Sequence, residues 1–205
     1  GQFRYICAKK LYMGANVPDD INTWYSGCMF EGARIEKLII GNQVTILGSY
    51  ALGSNSPKYI KNIEFEEPSS LKYIGDAAFS NNAELVRLEL PHSIDYISPH
   101  YTFDLCPKLE TIQKSYIRPY WSEDGILYSV SDNGGVVTVF RYPEAKKGEL
   151  FENNLVGHIA PSAFRDNKHL QKISVNLVDG IGNCAFMGCA NLTEIEGCDY
   201  SLGNA

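Results

Sequence analysis

Apolar side chains recur along this chain at fixed offsets, and the same pattern returns five times. In its clearest copy the apolar positions follow in steps of three or four residues, with a small residue after the second one and an Ala-Phe pair before an Asn. The members of that copy are Leu71, Ile74, Gly75, Ala78, Phe79, Asn82, Leu85 and Leu88. The other copies begin at Val44, Ile94, Val156 and Val178, and the one from Ile94 carries one additional residue. Self-similarity at a period of about 20–50 residues indicates a repeat protein.

The spacing predicts short strands that stack on one another. Three-residue steps suit neither a long amphipathic helix nor a strictly alternating strand. They favour a coil that turns inward about every three residues and packs on identical coils above and below. The β-prone segment of each coil would then join a parallel sheet. The predicted strands are residues 37–40, 62–65, 87–90, 172–175 and 193–195.

The remaining template positions have predicted roles inside the coil. The Ala-Phe pair places a ring in the core beside a residue small enough for neighbouring coils to approach. Three residues after the ring, an Asn such as Asn82 or Asn167 would turn inward and satisfy buried backbone groups. Cys106, Cys189 and, less regularly, Cys28 take the same position, and a buried free thiol is the favoured interpretation for them.

Residues 113–150 interrupt the repeat and predict a β-hairpin. Residues 126–130 and 136–140 are β-prone, and the Ser-Asp-Asn-Gly-Gly run at 131–135 between them is rich in turn formers. Aromatic residues concentrate here, Tyr120, Trp121 and Tyr142 among them. The favoured interpretation is that they seal the hairpin against the coils, because a lone hairpin is marginal in water. The alternative is an exposed recognition patch.

The repeat resembles a known family. The residues at 71–88 and 178–195 are similar to the BspA-like leucine-rich repeats of bacterial surface proteins, and the likeness covers about 34–112 and 155–195. Residues 24–28 match more loosely, and the insertion resembles one that recurs in the family. The resemblance implies an α/β leucine-rich-repeat solenoid, a right-handed superhelix with short parallel strands and a β-hairpin insertion. It also implies a secreted or cell-surface location and a role in adhesion.

The predicted organisation has four parts. Residues 1–33 form a divergent N-terminal cap or first coil, because the first coil of a solenoid has no neighbour on one side. Coils occupy 34–112, the hairpin insertion occupies 113–150, and further coils with the C-terminal end occupy 151–205.

Composition excludes several classes of protein. The chain has 205 residues, 44% of them hydrophobic, and a net charge of −6. That apolar content excludes a disordered polypeptide. The acidic balance argues against nucleic acid or an anionic membrane as the main partner, and no apolar run approaches the length of a membrane span.

No catalytic or metal-binding signature stands out, so the prediction is a protein that is not an enzyme and needs no cofactor. The four histidines fall at variable template positions, and no phosphate loop or His-Glu-x-x-His motif occurs. Cys7, Cys184 and Cys198 lie off the template. A disulfide such as Cys184–Cys198 is left open, whereas a zinc site on Cys184, Cys189 and Cys198 lacks the usual Cys-x₂-Cys spacing.

The predicted strands offer a broad surface on the concave side of the solenoid. Outward positions there carry mixed charge, which solubility alone explains, or which forms a face that binds a protein or a glycan. The candidate ligand-binding residues are Lys37, Asn62, Glu64, Arg87, Glu89, Lys172, Ser174 and Glu194. The leading hypothesis is a non-catalytic binding or adhesion module whose partner is a host matrix protein, another cell surface or a glycan. The alternative is a structural spacer within a longer repeat protein.

Overall fold

In a computed structural model that describes residues 3–18, 29–54, 56–115, 119–130, 135–176 and 180–197, the chain is built from strands and tight turns. The described residues contain no helix, so the α part of the predicted α/β class is wrong. The reason is local: each coil closes through a run of tight turns between short strands, and a single turn of helix is too short to stabilise itself. The parallel-strand solenoid itself is confirmed, whereas its right-handedness stays a prediction.

Sixteen strands lie within the described ranges. They are β1 (Cys7–Met13), β2 (Arg34–Ile40), β3 (Ile46–Leu47), β4 (Tyr59–Phe65), β5 (Tyr73–Ile74), β6 (Arg87–Glu89), β7 (Tyr96–Ile97), β8 (Thr111–Gln113), β9 (Tyr120–Glu123), β10 (Ile126–Val130), β11 (Val137–Arg141), β12 (Leu150–Asn153), β13 (Val156–Ile159), β14 (Lys172–Val175), β15 (Gly180–Ile181) and β16 (Glu194–Glu196).

The longest strands form one face of the solenoid, called the strand face below. It consists of the parallel groups β1-β2-β4, β6-β8 and β12-β14-β16. Equivalent inward residues are in register, as Leu11, Leu38 and Ile63 are across the first three strands. Each of the five predicted strands coincides with one of these, although β2 and β4 begin three residues earlier than predicted. Within the predicted cap or first coil, β1 pairs with β2 as a further rung of the sheet.

A second face arises from strands that the repeat pattern did not predict. The two-residue strands β3, β5 and β7 pair in parallel and turn Leu47, Ile74 and Ile97 inward. A separate five-stranded sheet has the order β15-β13-β11-β10-β9, so it joins three strands of the insertion to two strands of the later coils. The predicted hairpin is confirmed as the antiparallel pair β10-β11, and β11 pairs in parallel with β13. The insertion is therefore continuous with the solenoid.

Tight turns form a third side, called the turn face below, where the Ala-Phe pairs lie. Backbone bonds link successive coils here, from Phe79 N–H to the Thr102 carbonyl at 2.9 Å and from Phe164 N–H to the Ala185 carbonyl at 2.8 Å. The aromatic rings stack from coil to coil, with centroid distances of 5.7 Å for Phe79–Phe103 and 5.5 Å for Phe164–Phe186. This stacking of the template Phe rings is a direct apolar contact between neighbouring coils.

The Asn and Cys template positions turn inward as predicted. Asn167 is fully buried, its Nδ2 donates to the carbonyls of Pro143, Glu144 and Lys146, and its Oδ1 accepts from the N–H groups of His169 and Leu170. The thiol of Cys106 is buried and contacts the Phe79 carbonyl at 3.4 Å. Burial raises the pKa of the Cys106 thiol above its ordinary value. The looser match at 24–28, Cys28 included, lies outside the described residues.

Candidate functional site

The register of the strand face arranges its outward side chains in two columns. The first column consists of the residues just before the inward Leu11, Leu38 and Ile63. They are Lys10, Lys37 and Asn62 on β1, β2 and β4, and they are in register. The second column consists of the residues just after the central inward residue of a strand. It includes Glu64 on β4, Glu89 on β6 and Glu152 on β12. Because paired parallel strands lie about 4.8 Å apart, the first of these columns is a ladder of closely spaced side chains.

Four of the eight predicted ligand-binding residues form ion pairs with each other. Lys37 Nζ lies 2.7 Å from a Glu64 carboxylate oxygen, and Lys172 Nζ lies 3.2 Å from Glu194. Asn62 Nδ2 donates to a backbone carbonyl of β2 at 3.0 Å, and Arg87 donates to Gln113. Exposed ion pairs of this kind contribute about 0–1 kcal/mol each, so the side chains stay accessible to a partner. The structure places all eight predicted residues on the strand face, Ser174 among them, although they are spread over β2, β4, β6, β14 and β16.

A recess on this face lies at the ends of β4, β6 and β8. This strand-face groove has a volume of about 790 Å³ and brings together Glu64 and Glu89 with residues that the sequence did not single out. Its floor includes Phe65 and Leu90, and its far wall is the turn at Asp124 between β9 and β10. The other lining residues are Ile63, Glu67, Pro91, His92, Thr111, Gln113, Lys114, Ser115, Ser122 and Gly125.

The far wall is held in place by specific contacts with β8. The Ile112 N–H donates to the Gly125 carbonyl at 2.9 Å, and the Ser122 hydroxyl bonds both backbone groups of Lys114 at 2.8 and 3.1 Å. Gly125 has a φ of +73°, and a Cβ there would lie 2.9 Å from Thr111 Cγ2. Only glycine combines this backbone conformation with so close an approach, so the turn is fitted to β8.

The groove is predominantly acidic. Carboxylates of Glu64, Glu67, Glu89 and Asp124 line it, and within the described residues Glu89 has no ion-pair partner. Lys37 pairs with Glu64 at 2.7 Å and Lys146 pairs with Asp124 at 2.9 Å. Among the lining residues the cation is Lys114, which is buried and donates to the His92 carbonyl at 3.4 Å. Burial lowers the pKa of the Lys114 amine, opposed by the nearby Asp95 charge. An acidic rim over an apolar floor suits a ligand that carries positive charge next to apolar groups.

The aromatic candidates of the insertion lie mostly in the core. Tyr120 and Tyr142 are 6% and 2% exposed, and Tyr120 packs edge-on against Phe140 at 5.3 Å between ring centroids. Trp121 is half-buried and stacks on Tyr128. Burial removes Tyr120 and Tyr142 from any surface patch, because the insertion continues the solenoid core and needs their rings to fill it. This is the sealing role that the sequence analysis favoured.

The cysteines form no metal site in the described part of the chain. Cys7, Cys106, Cys184 and Cys189 are free thiols, and those ranges contain no cluster of three or more His, Cys, Asp or Glu able to hold a metal. The open question of a Cys184–Cys198 disulfide involves Cys198, which lies outside the described residues. No helix in those ranges is long and apolar enough to cross a membrane.

Comparison with known proteins agrees with this architecture. The family described as BspA type leucine-rich repeat region matches in six copies over residues 16–117 and 147–201, which confirms the resemblance read from the repeat. A leucine-rich cell surface protein of Faecalibacterium prausnitzii A2-165 is 26% identical, with a TM-score of 0.72 over 83% of this chain. This chain spans 43% of the length of that one. A search of the curated proteins finds no match.

Two further solved structures share the fold at lower identity. The pneumococcal vaccine antigen PcpA is 17% identical, covers 93% of this chain and 63% of its own, and has a TM-score of 0.57. A leucine-rich repeat protein of Eubacterium ventriosum is also 17% identical, covers 91% of this chain and 73% of its own, and has a TM-score of 0.51. These likenesses concern the fold alone.

Proposed function

Since the chain belongs to the BspA-type leucine-rich-repeat family, we propose that it is a non-catalytic protein-binding module of a cell-surface protein and that the strand-face groove is its contact site. The family match and the surface protein of F. prausnitzii support an interaction module at the cell surface. The observation that carries the assignment to the groove is the set of carboxylates that lines its 790 Å³ recess next to the apolar side chains of Phe65 and Leu90.

The lining of the groove favours one kind of partner. Carboxylates at Glu64, Glu89 and Asp124 surround the apolar side chains of Phe65 and Leu90. An extended segment that alternates Lys or Arg with apolar residues would place its charges against the carboxylates and its apolar side chains on the floor. Complementary charge of this kind raises association rates and selects partners. The ligand is therefore a basic segment of another protein, on a host matrix protein or another cell.

Binding to defined probes tests this proposal. The immobilised chain is exposed to a synthetic peptide alternating lysine and leucine, to its glutamate-leucine counterpart and to purified host matrix proteins. We expect saturable binding of the lysine peptide and of at least one matrix protein, and rejection of the glutamate peptide. Binding should weaken steeply between 0.1 M and 1 M salt, because the screening length falls from about 10 Å to about 3 Å.

Charge-neutral variants locate the contact. The double variant Glu64→Gln, Glu89→Gln removes two groove carboxylates without changing side-chain size, and we expect affinity to fall by at least about tenfold. Glu152→Gln is the matched control, since Glu152 takes the corresponding outward place on β12, outside the groove. Equal affinity of the double variant and the wild type would contradict the proposed contact. Failure to bind every probe would favour the spacer hypothesis instead.

A further inference from the structure

A second recess lies on the turn face, away from the strand-face groove. This turn-face trough has a volume of about 230 Å³, and its walls include Tyr50, Ala77, Asn81, Tyr101, Asp104 and Arg165. Its lining residues are all different from those of the groove. It is therefore an independent site.

The two tyrosines of the trough are not required by the solenoid. Five coils in the described part of the chain have a left-handed residue just before the position of the Ala-Phe pair. This place is taken by Tyr50, Ala77, Tyr101, Ser162 and Cys184, with φ between 51° and 59°. Three coils thus build the same turn with a small side chain. Tyr50 and Tyr101 are 37% and 48% exposed, so their rings are not core residues. Large aromatic rings at the surface, where the fold accepts small residues, point to a ligand.

The ladder of coils sets the width of the trough. The Tyr50 N–H donates to the Asp76 carbonyl and the Ala77 N–H to the His100 carbonyl, so Tyr50, Ala77 and Tyr101 lie on three successive coils. Two coil spacings separate the tyrosine backbones by about 9.5 Å. That distance leaves room for one flat ring with van der Waals contact, at about 3.5–4.0 Å, on each of its faces. The small side chain of Ala77 leaves the space between them open.

One edge of the trough is polar but carries compensated charge. Asp104 is buried, and its carboxylate accepts from Arg141 Nη1 at 2.8 Å and from Arg165 Nη1 at 3.1 Å. The Arg165 guanidinium also lies 5.8 Å from the centre of the Tyr101 ring. The Nε of Arg165 contacts Asp166 at 3.4 Å. Within the described part of the chain these contacts use Nη1 and Nε, so the Nη2 donors of Arg165 can bond a ligand. Asn81 donates through Nδ2 to the Ser54 carbonyl at 3.0 Å, and its Oδ1 adds an acceptor.

We propose that the turn-face trough binds one pyranose residue of a neutral glycan. A pyranose ring presents C–H groups on its flat faces and hydroxyl groups around its rim, which matches two aromatic walls beside a guanidinium and an amide. An anionic ligand would meet the Asp104 carboxylate as well as Arg165, and a purely apolar ligand would leave the polar edge desolvated and unpaired. The volume of the trough is below the roughly 300–1,000 Å³ of pockets for drug-sized ligands, as expected for a single sugar ring.

Saturation-transfer NMR with free sugars tests the proposal. The purified chain is titrated with glucose, galactose, mannose and N-acetylglucosamine, with sialic acid and indole as an anionic and an aromatic comparison. We expect saturable binding of at least one neutral sugar, with transfer to its ring C–H protons. No saturable binding of any neutral sugar up to millimolar concentration, or stronger binding of sialic acid or indole, would overturn the proposal.

Alanine variants test the site itself. Tyr50→Ala and Tyr101→Ala should each weaken sugar binding at least tenfold, and the fold should tolerate them because Ala77 holds the same position at nearly the same φ. Tyr96→Ala is the matched control, since Tyr96 is 44% exposed and lies on β7 outside the trough. Undiminished sugar affinity in both trough variants would overturn the assignment. The groove variant Glu64→Gln, Glu89→Gln should leave sugar binding unchanged, which separates this site from the proposed protein contact.

Discussion

A buried lysine makes the stability of this solenoid depend on pH. Lys58 is fully buried, and its Nζ donates to the Ser80 carbonyl. Within the described residues it has no carboxylate partner. Desolvation lowers the pKa of Lys58 to about 7 from an ordinary value of 10.5. Between about pH 7 and pH 10.5, this amine is therefore protonated in the unfolded chain and neutral in the folded chain.

The sign of the effect follows from this difference in bound protons. Stability rises with pH wherever the unfolded state binds more protons, so the lysine destabilises the fold fully below pH 7 and hardly at all above pH 10.5. A difference of about 3.5 in pKa corresponds to about 5 kcal/mol at 1.36 kcal/mol per unit. Between pH 7 and pH 10, where the amine is partly titrated at each end, about 3–4 kcal/mol of this difference is released.

Lys58→Met removes the titrating amine while keeping most of the side-chain volume. It also leaves the Ser80 carbonyl without its donor, which costs about 1–3 kcal/mol at every pH. The variant's free energy of unfolding minus that of the wild type should therefore be about 3–4 kcal/mol larger at pH 7 than at pH 10. Titrating groups other than the Cys106 thiol, whose charge interacts with that of Lys58, are the same in both proteins and cancel in the comparison.

Urea unfolding followed by circular dichroism at pH 7, 8, 9 and 10 measures this difference. Lys61→Met is the matched control, because Lys61 is an exposed lysine on the same strand β4. A Lys58→Met effect that is the same at pH 7 and pH 10 would refute the reasoning, since it would mean that the buried amine keeps an ordinary pKa.

Three further substitutions test the packing and the groove wall. Asn167→Ala breaks five hydrogen bonds to backbone groups and should lower the free energy of unfolding by more than about 3 kcal/mol. The exposed Asn191→Ala breaks one, to the Lys168 carbonyl, and should lower it by less than about 1.5 kcal/mol; both are measured by urea unfolding. Phe164→Ala should lower the free energy of unfolding by about 3–5 kcal/mol in the same assay. Phe186→Ala should lower it distinctly less, because Phe186 is half-buried. Equal losses of stability in the two variants would contradict this difference in burial. Gly125→Ala forces an unfavourable φ at a site of close approach, so it should lower the free energy of unfolding by about 1–2 kcal/mol. It should also weaken binding of the lysine peptide. Loss of stability with intact peptide binding would contradict a role for this turn as the groove wall.

The repeat pattern was sufficient to predict the stacking of the coils. In a solenoid each coil contacts chiefly its neighbours, so the same local requirement recurs at the same offset and becomes visible in the sequence. The rings of Phe79, Phe164 and Phe186 lie in equivalent stacks, and Asn167 bonds the backbone of the preceding coil segment as its position predicted. The outward placement of Lys37 and Glu64 followed from the same periodicity.

Short strands were the part of the fold that the pattern missed. β3, β5 and β7 are only two residues long, too short to show an alternation of apolar and polar residues. The helix implied by the family resemblance was wrong for a related reason. The described coils close through tight turns, and the apolar residues of these turns follow the same three-residue spacing as those of the strands. In both cases the neighbouring coil, rather than local propensity, decides the conformation.

The sequence by itself determined that this protein is a stack of leucine-rich coils, which residues of each coil point inward, and which family it resembles. Only the tertiary structure decided where its recesses lie. The groove depends on the turn at Asp124 docking on β8, and the trough depends on Arg165 reaching Asp104, 61 residues earlier in the chain. The physical reason is that a periodic core repeats one set of contacts and so leaves a periodic signal, whereas each surface recess is formed once, by distant segments whose meeting has no period.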